Sequence, residues 1–516
     1  MLARAAGASF DVVVIGGGAT GAGAAVDAAS RGYSTLLLER HDFGKGTSSR
    51  STKLVHGGVR YLARGDFRLV REALRERALL LENAPHLVRV QPFVVPSYRW
   101  WEALYYGAGL KLYDLLAGRR GFGASRRLSR GEVEKRLPTI RTDGLRGGIL
   151  YYDGRFDDAR LLINLVETAA EQGALVLNYA PVTQLLRDGA GRVGGVAFRD
   201  KETGREFKAT ARVVVNATGV FCDAVRTLAE PAAKPLVAPS QGAHLVFDSS
   251  FLPGDTALMV PKTSDGRVMF AIPWHGRVLV GTTDVAVPVA ELEPRATERE
   301  IELILETAGR YLAKPPSRAD VLSVFAGVRP LVKATGAANT AALSRDHAII
   351  AESGMVTVTG GKWTTYRNMA EDCISRAAEL AGLPAKPCRT KTLPIHGAEK
   401  DVEPNDPLAV YGSDAAAIRE LQRSRPDLSG ILHPDLPYTA TEVVWAARHE
   451  MARTIEDVLS RRLRALVMNA AAAREAAPRV AELLAAELGR DDSWREEQVR
   501  SFTELAQGYE LTGAAP

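Results

Sequence analysis

Three glycines near the start of the chain have the spacing of a loop that binds the phosphates of a dinucleotide. Gly16, Gly18 and Gly21 form a G-x-G-x-x-G motif, directly after the apolar stretch 10–15 and before an alanine-rich stretch. In such a loop the first glycine permits a tight turn, the second lets the backbone approach a pyrophosphate, and the third allows a helix to pack closely on a strand. The diphosphate then faces the N-terminus of the helix, whose backbone amides attract anions. The motif therefore predicts a dinucleotide cofactor.

An acidic side chain follows where the ribose of such a cofactor is bound. Glu39 ends the second predicted strand, 34–38, and comes roughly 20 residues after Gly21, as the dinucleotide motif requires. A carboxylate at this place accepts hydrogen bonds from ribose hydroxyls and disfavours a 2′-phosphate. FAD or NAD therefore fits the sequence better than NADP.

A later strand favours FAD over NAD. The apolar stretch 212–216 reads as a buried strand and is followed by Ala217, Thr218 and Gly219. A strand with this ending is typical of flavoproteins of the glutathione-reductase type, where it closes the adenine half of the FAD site. Val182 lies shortly after the predicted strand 174–178, where such folds place a backbone contact to adenine. We therefore expect these four residues to contact FAD.

Hydroxyl-bearing side chains are concentrated in a glycine-flanked segment, residues 46–58, which we call the hydroxyl loop. A polar loop of this kind suits a diphosphate and an isoalloxazine ring, although clusters of serine and threonine are also common in plain surface loops. The cofactor-binding residues predicted here are Thr47, Ser48, Ser49, Lys53, His56, Gly57 and Gly58.

Together with the opening motif, the stretch GTSSRSTKLVHGGVRYL (46–62) resembles the FAD-dependent glycerol-3-phosphate dehydrogenases, within the wider D-amino-acid-oxidase-like flavoproteins. Further matching stretches are QGAHLVF (241–247), VGTTD (280–284), GVRPL (327–331), LSRDH (343–347), GGKWTTYRNMA (360–370) and RHEMARTIEDVLSRRLR (448–464). The similarity runs in order from about Phe10 to about Arg464, and its motifs are long.

The resemblance implies oxidation of sn-glycerol 3-phosphate to dihydroxyacetone phosphate by hydride transfer from C2 to FAD. The substrate carries close to two negative charges at neutral pH, because the second pKa of its phosphate is about 6. Binding it away from water requires cations, and arginine offers a two-pronged set of donors for phosphate oxygens. On the substrate side of the flavin, the matching motifs contain Arg60, Tyr61, Arg329, Arg345 and Lys362. The alternative for any one of these cations is a solvated surface charge.

The same motifs supply candidates for the chemical step. We expect His244 and Arg329 to be catalytic, with His244 as the general base that takes the proton of the C2 hydroxyl. His244 alternates with apolar neighbours, so a histidine that only packs in the core is the alternative. Gly361, Lys362 and Thr364 are predicted to approach the flavin. No metal-binding motif occurs, and we predict no catalytic metal.

The sequence motifs do not identify the acceptor that reoxidises the reduced flavin. The resemblance implies a membrane quinone, whereas an oxidase relative with the same site would use oxygen and release peroxide.

An amino-acid oxidase would need one arginine for a carboxylate, which the set of cations argues against. A flavin-containing tRNA-modification protein is the alternative from another class; its clustered basic faces and reactive cysteines are not seen in this sequence, so we expect no nucleic-acid partner. A homodimer is one option for the oligomeric state.

These residues must be positioned by an α/β fold with an additional helical part. We predict a Rossmann-like FAD domain of the glutathione-reductase type, assembled from the discontinuous segments 8–86, 151–239 and 321–385. Segments 87–150 and 240–320 are expected to form a substrate domain with a mixed sheet. After a proline-containing linker, 386–393, an all-α C-terminal domain is predicted over 394–516, where Thr439 and Glu442 have the spacing of a helix capping box.

Composition excludes several classes of protein. The chain has 516 residues, of which 46% are hydrophobic and 25% charged, which rules out disordered, collagen-like and coiled-coil chains. Its three cysteines, Cys222, Cys373 and Cys388, are too few and scattered for a disulfide framework or a structural zinc site. The net charge of +5 permits an anionic substrate, an anionic lipid surface or nucleic acid.

One segment suggests contact with a membrane. No run reaches the roughly 18 apolar residues of a spanning helix, and the first ten residues lack a signal-peptide core. We therefore expect a cytoplasmic protein that meets the inner face of the cell membrane peripherally. Residues 98–120 combine tryptophans, tyrosines and leucines with basic side chains, which suits an amphipathic helix lying in the membrane interface. A helix that packs in the substrate domain is the alternative.

Overall fold

The computed structural model describes residues 2–58, 62, 65–333, 346–403 and 406–511. They form two β-sheets with helices and a separate group of C-terminal helices, which confirms the predicted fold class. In chain order the strands are β1 (Ser9–Ile15), β2 (Thr35–Leu38), β3 (Leu54–Val55), β4 (Val88–Ser97), β5 (Arg126–Ser129), β6 (Gly147–Phe156), β7 (Leu175–Leu177), β8 (Val182–Arg187), β9 (Val193–Arg199), β10 (Glu206–Asn216), β11 (Val237–Asp248), β12 (Ala257–Val260), β13 (Met269–Trp274), β14 (Arg277–Gly281), β15 (Val285–Ala286), β16 (Val321–Val332), β17 (His347–Glu352) and β18 (Met355–Gly360).

The helices alternate with these strands and then continue alone. In chain order they are α1 (Leu2–Ala5), α2 (Ala19–Ser30), α3 (Phe67–Asn83), α4 (Glu102–Ala117), α5 (Arg130–Arg136), α6 (Asp158–Glu171), α7 (Cys222–Ala229), α8 (Glu298–Tyr311), α9 (Tyr366–Leu380), α10 (Ala415–Ser424), α11 (Ala440–Arg448), α12 (Ala465–Met468), α13 (Ala470–Leu488) and α14 (Asp492–Gln507).

The first sheet has the strand order β17-β18-β10-β1-β2-β7, with β9 pairing β10 and β8 pairing β9. The pairs β1–β2, β1–β10, β2–β7 and β10–β18 are parallel. Val12, Val13 and Val14 of β1 are completely buried, because both faces of this central strand are covered. Since parallel strands end at the same edge, Ile15 and its register partners Leu38 and Asn216 bring the segments that follow them together.

Helix α2 packs against this sheet together with α6 and α9. Most of its buried residues are alanines or glycines, and at Gly23 the ring of Tyr366 on α9 approaches the helix backbone. Helix α6 begins at Asp158, and the carboxylate of Asp157 caps it by accepting from the amide of Arg160 at 3.1 Å. These two neighbouring acids thus lie where α6 meets the hydroxyl loop.

The second sheet has the strand order β15-β11-β14-β13-β12-β4-β6-β3, with β5 pairing β6 and β16 pairing β11. Strand β16 runs antiparallel to β11 along almost its whole length, from Val321 to Val332. The sequence-based boundary placed this segment with the FAD-binding half, and the structure instead pairs it with the substrate-side sheet. Its run of apolar residues indicates a buried strand, but carries no information about which sheet the strand joins.

Helices α10 to α14 form the C-terminal part, in agreement with the predicted all-α domain. Thr439 and Glu442 make the capping box that opens α11. A π-helical turn at Asp457–Arg462 and helix α12 face the rest of the molecule. Ser323 of β16 donates to the carbonyl of Leu466 at 2.9 Å. The helical part is therefore bonded directly to the strand that carries Arg329.

Candidate active site

The glycine loop lies at the edge of the first sheet where β1 and β10 end. Gly16 has φ +105°, and a Cβ there would lie 2.8 Å from the carbonyl oxygen of Ala217. A Cβ at Gly21 would overlap the carbonyl of Gly16. Glycine is therefore required at both places, since a side chain would fill the space between the loop and the segment after β10. The loop and residues 217–219 form the two sides of one cradle.

The N-terminus of α2 opens into this cradle. Gly18 is its N-cap residue and brings no side chain, while the hydroxyl of Ser48 accepts from the amide of Ala19 at 2.9 Å. The carboxylate of Glu39 accepts from the amides of Gly17 at 2.6 Å and His41 at 2.8 Å. Burial raises the pKa of Glu39. A helix N-terminus beside a hydroxyl, with an acid at the end of β2, fits the diphosphate and ribose of a dinucleotide.

The other predicted cofactor-binding segments converge on the same edge. Thr47 donates from its hydroxyl to the carbonyl of Val328 at 2.6 Å, and the indole of Trp363 donates to the carbonyl of Ser48 at 2.8 Å. The amide of His56 donates to the hydroxyl of Thr364 at 3.2 Å. These bonds hold the hydroxyl loop between β16 and residues 360–364, as a bound cofactor would require.

Two further predicted cofactor residues have different surroundings. Val182 begins β8, two residues after Ala180, whose amide donates to the carbonyl of Glu39 at 2.7 Å. Lys53 is completely buried, and its ammonium donates to the carboxylate of Asp158 at 2.7 Å and to the carbonyl of Ser49 at 2.8 Å. Burial, followed by the charge of Arg464, lowers the pKa of Lys53 to about 7. Its side chain thus points to Asp158 and not to the cofactor, which the sequence motif alone does not indicate.

A cavity of about 270 Å³ opens between the glycine-loop edge and the second sheet. One wall is apolar and aromatic, with Phe93, Tyr151 and Phe270. The predicted residues on the cavity wall are Thr47, His56, Gly58, His244, Arg329, Gly361, Lys362 and Thr364. The structure therefore brings together motifs that lie more than 300 residues apart in the chain.

Two arginines meet at this cavity through one carboxylate. Arg329 lies with its NH1 3.5 Å from Oδ1 of Asp284, and NH1 of Arg267 lies 3.1 Å from Oδ2 of the same residue. The NH2 of Arg329 also donates to the hydroxyl of Thr282 at 2.9 Å. A Cβ at Gly242 would overlap the Arg329 guanidinium, so this glycine makes the room that the arginine occupies. Nε of Arg267 also lies 3.4 Å from Oδ2 of Asp265, so the two partly exposed guanidiniums face two carboxylates.

Arg267 and Asp284 were not predicted as site residues. Asp284 ends the quoted VGTTD stretch, so the motif was found without its carboxylate being assigned. Arg267 lies in a turn before β13, and no motif marks it. Arg50, whose NH2 forms an ion pair with Glu293 at 2.6 Å, also lines the cavity and was missed.

His244 lies on β11 at the cavity wall and is almost completely buried. Its Nε2 is 2.9 Å from the hydroxyl of Thr52, and its ring stacks on Phe325, its neighbour on β16, with centroids 4.8 Å apart. Its Nδ1 has no hydrogen-bond partner among the described residues. Burial, with the charges of Arg329 and Lys53, lowers the pKa of His244 well below its usual value of 6.5. The imidazole is therefore neutral at pH 7 and able to accept a proton.

Three predicted substrate-binding residues, Arg60, Tyr61 and Arg345, lie outside the described residues. Lys362 follows β18 and lies on the cavity wall. Arg329 lines the same cavity, and the sharing of the phosphate among the predicted cations stays a prediction.

Within the part of the chain that the structure describes, one group of side chains has the spacing of a metal site. Glu167, His396 and Asp414 place their ligand atoms within 4.8 Å of one another, away from the cavity wall. His396 is bonded at Nε2 to Asp414 at 2.8 Å and at Nδ1 to Glu171 at 2.6 Å. These bonds raise the pKa of His396 to about 10, so that both ring nitrogens carry protons at neutral pH.

Comparison with protein families divides the chain into two parts. A model of the FAD dependent oxidoreductase family matches residues 11–367, and a model of the C-terminal domain of alpha-glycerophosphate oxidase matches residues 388–495. The second match begins inside the proline-containing linker, 386–393.

Relatives are similar over nearly the whole chain. The mitochondrial glycerol-3-phosphate dehydrogenase of Bos taurus is 42% identical, over 97% of this chain and 74% of its own length. The mitochondrial enzyme of Arabidopsis thaliana is 40% identical, over 99% of this chain and 88% of its own length.

Solved structures agree with this similarity. That of the glycerol-3-phosphate dehydrogenase from Bacillus halodurans complexed with FAD has a TM-score of 0.80, at 28% identity, and covers 98% of this chain and 96% of that chain. The L-alpha-glycerophosphate oxidase of Mycoplasma pneumoniae has a TM-score of 0.58 at 17% identity, over 75% of this chain and 98% of that chain, which is a likeness of fold alone.

Proposed function

This chain belongs to the family of FAD-dependent glycerol-3-phosphate dehydrogenases, and from that premise we propose how its residues carry out the reaction. The enzyme oxidises sn-glycerol 3-phosphate to dihydroxyacetone phosphate, and its cofactor is FAD. The glycine loop, Ser48 and Glu39 hold the diphosphate and ribose, and the hydroxyl loop with residues 361–364 holds the flavin end. When bound, FAD supplies the acceptor for the hydride that leaves C2 of the substrate.

The phosphate of the substrate binds to Arg329 and Arg267, with Lys362 beside them. Asp284 holds the two guanidiniums in place, so that they need not be ordered when the substrate arrives. Arg329, Arg267 and Lys362 bring three positive charges against the carboxylates of Asp284 and Asp265, so a net positive charge remains to attract the phosphate. This arrangement is the observation that carries the proposal, because a cavity for an amino acid would need only one such cation.

The proton of the C2 hydroxyl reaches Nε2 of His244 through the hydroxyl of Thr52, which lines the cavity and takes the substrate proton as it gives its own to the imidazole. The same bond to Thr52 fixes the orientation of the ring. The neutral imidazole accepts the proton while C2 loses its hydride, so the substrate loses two electrons and two hydrogens and becomes a ketone. Arg329 also faces the oxygen on which negative charge develops, which makes it both a binding and a catalytic residue.

The substrate assignment is tested by reducing the enzyme-bound flavin without oxygen. Glycerol 3-phosphate is expected to bleach the visible flavin absorbance at ordinary concentrations. Glycerol, which lacks the phosphate, and 3-phosphoglycerate, which carries an additional carboxylate, serve as controls and are expected to leave the absorbance unchanged. Equal bleaching by glycerol would show that the cations do not select the substrate.

A membrane quinone is the electron acceptor in this proposal. The alternative is oxygen, in view of the oxidase named by the model for residues 388–495. Reoxidation of the substrate-reduced enzyme by a soluble quinone analogue, compared with oxygen uptake and peroxide formation, distinguishes the two. Faster turnover with oxygen than with the quinone analogue would assign the enzyme to the oxidase type.

Helix α4 supports a peripheral contact with the membrane. Its inner face, with Ala103, Leu110 and Tyr113, is buried, so the packing alternative accounts for that side. Its outer face presents Leu104, which is 62% exposed, and Leu115, which is 77% exposed. The outward-facing aromatic and basic residues around them are Trp100, Trp101, Tyr105, Lys111, Arg119 and Arg120. An apolar face rimmed by cations suits the interface of an anionic membrane.

Among the described residues, no helix combines the length and apolar character needed to cross a bilayer. On the strength of the exposed face of α4, we propose a peripheral contact at the inner face of the cell membrane. We also retain the homodimer as a proposal, which light scattering of the purified holoenzyme would test against the monomer mass of 55.6 kDa.

A further inference from the structure

A buried arginine of the helical C-terminal part reaches into the FAD-binding half. Arg464 lies between the π-helical turn and α12, and its side chain is almost completely buried. Its NH2 donates to the carbonyl of Ser49 at 3.0 Å and to Oδ1 of Asp158 at 3.1 Å. Its NH1 donates to the carbonyl of Ser460 at 2.6 Å. One guanidinium thus bonds the C-terminal helices to the hydroxyl loop and to the start of α6.

Asp158 accepts the hydrogen bonds that fix residues 51–53 of this loop. Its Oδ2 accepts from the amide and hydroxyl of Ser51, at 3.0 and 2.7 Å, and from the ammonium of Lys53 at 2.7 Å. Lys53 adds a bond to the carbonyl of Ser49. These bonds therefore hold the backbone before and after Thr52.

Thr52 is the residue between these anchors, and its side chain turns the other way. It lines the cavity, and its hydroxyl bonds to Nε2 of His244 at 2.9 Å. Arg464 makes no such contact itself among the described residues. Its bonds, however, define the position of the short segment from which Thr52 holds the proton acceptor.

We propose that Arg464 is a positioning residue for proton transfer: through Ser49 and Asp158 it holds the Thr52 hydroxyl against His244. This inference rests on the proposed role of His244. The planar guanidinium is essential for this role, because its N–H groups donate to three acceptors in different directions at once. A lysine at the same place keeps the charge but not this geometry, so it loosens the loop without leaving Asp158 uncompensated.

The experiment compares Arg464→Lys with Arg462→Lys in the FAD-loaded enzyme. Arg462 is equally buried in the adjacent turn, but it bonds to Asp42 and to the carbonyl of Glu450, not to the hydroxyl loop. Both substitutions remove a buried guanidinium, so an effect that comes only from lost stability should appear in both variants. Arg464→Lys is expected to lower kcat at least tenfold more than Arg462→Lys, with KM for glycerol 3-phosphate changed less than twofold.

The pH profile gives a readout that lost stability would not move. His244 is faced by Arg329 from β16 and by Lys53 and Thr52 from the hydroxyl loop. When the loop loosens and water reaches the imidazole, the pKa of His244 rises towards its ordinary value of 6.5. The fall of kcat on the acid side should therefore begin at higher pH in Arg464→Lys than in the wild type and in Arg462→Lys. Coincident profiles in the two lysine variants would overturn the inference.

A double substitution tests the path through Thr52. If Arg464 acts through the Thr52 hydroxyl, Arg464→Lys should add little to the loss caused by Thr52→Val, whereas losses that multiply would contradict the path. Should Arg464→Lys fail to yield folded holoenzyme, Ser51→Ala, which removes one bond to Asp158, takes its place in both comparisons. A His244→Asn enzyme that keeps the acid-side fall of kcat would refute the proposed base itself, independently of Arg464.

Discussion

The hydroxyl of Thr52 lies 2.9 Å from Nε2 of His244, although the two residues belong to different parts of the fold. Thr52 comes from the hydroxyl loop, beside the glycine cradle of the first sheet, and His244 comes from β11 of the second sheet. The contact therefore joins two sides of the cavity wall. In the proposed mechanism it fixes the imidazole near the substrate hydroxyl and the hydride acceptor.

Replacing His244 should reduce the chemical step and remove its pH dependence. His244→Asn is expected to lower kcat by about 10²- to 10⁴-fold, the usual contribution of a general base. Because the pKa of His244 lies well below 6.5, the imidazole stays neutral as the pH falls to that value. The kcat of the wild type should therefore fall only below pH 6.5, as measured from initial rates across the acid range. A wild-type kcat that already falls between pH 8 and 7 would contradict this.

Gly21→Ala should prevent FAD binding. A Cβ at Gly21 overlaps the carbonyl of Gly16, so the glycine loop cannot keep its shape. The matched control is Gly109→Ala on α4, a helical glycine with open space at its Cβ position. The ratio of flavin absorbance to protein absorbance after purification is expected to be near zero for Gly21→Ala and unchanged for Gly109→Ala. Full flavin content in Gly21→Ala would show that the cradle is not the cofactor site.

His396 should make the stability of the enzyme depend on pH in the alkaline range. Its pKa is raised from 6.5 to about 10, by Asp414 first and then by Glu167 and Glu171. The stabilisation that its charge provides is complete below pH 6.5 and is lost as the pH rises through 10. Chemical unfolding of the holoenzyme should show a free energy of unfolding that declines over this window. His396→Asn should remove that part of the decline, and an identical slope in the variant would refute the assignment.

The exposed face of α4 should govern binding to anionic lipid vesicles. Leu104→Asp with Leu115→Asp replaces two outward leucines by acids, which removes apolar area and adds repulsion. Binding in a vesicle sedimentation assay is expected to fall at least tenfold, while activity with a soluble quinone analogue is retained. Ile431→Asp is the control, because Ile431 is 61% exposed but lies in the C-terminal helical part. An equal loss in the control would show that α4 has no special role.

Local sequence signals were sufficient for the glycine cradle but not for the whole cavity. The strand before Gly16, the helix after it and Glu39 lie within one short unit, so their spacing carries the geometry. Arg267 and Asp284 meet Arg329 only because β13 and β14 pair next to β11, and this pairing is invisible in a local pattern. For the same reason the sequence did not indicate that the segment 321–332 pairs with β11 of the second sheet. Arg464 lay in a quoted motif, but its bond to Ser49 depends on how the C-terminal helices pack.

The most direct test of the account is the rate of flavin reduction by glycerol 3-phosphate, followed without oxygen in rapid-mixing experiments on four enzymes. Arg329→Ala and Arg267→Ala should keep their FAD and require about 10- to 100-fold more substrate for half-maximal rate, because a hydrogen bond to a charged group is worth about 1.5–3 kcal/mol. His244→Asn should lower mainly the limiting rate at saturating substrate, which Arg329→Ala also lowers because Arg329 faces the developing negative charge. If both arginine variants reach the half-maximal rate at the wild-type substrate concentration, the cavity is not where this enzyme holds the phosphate.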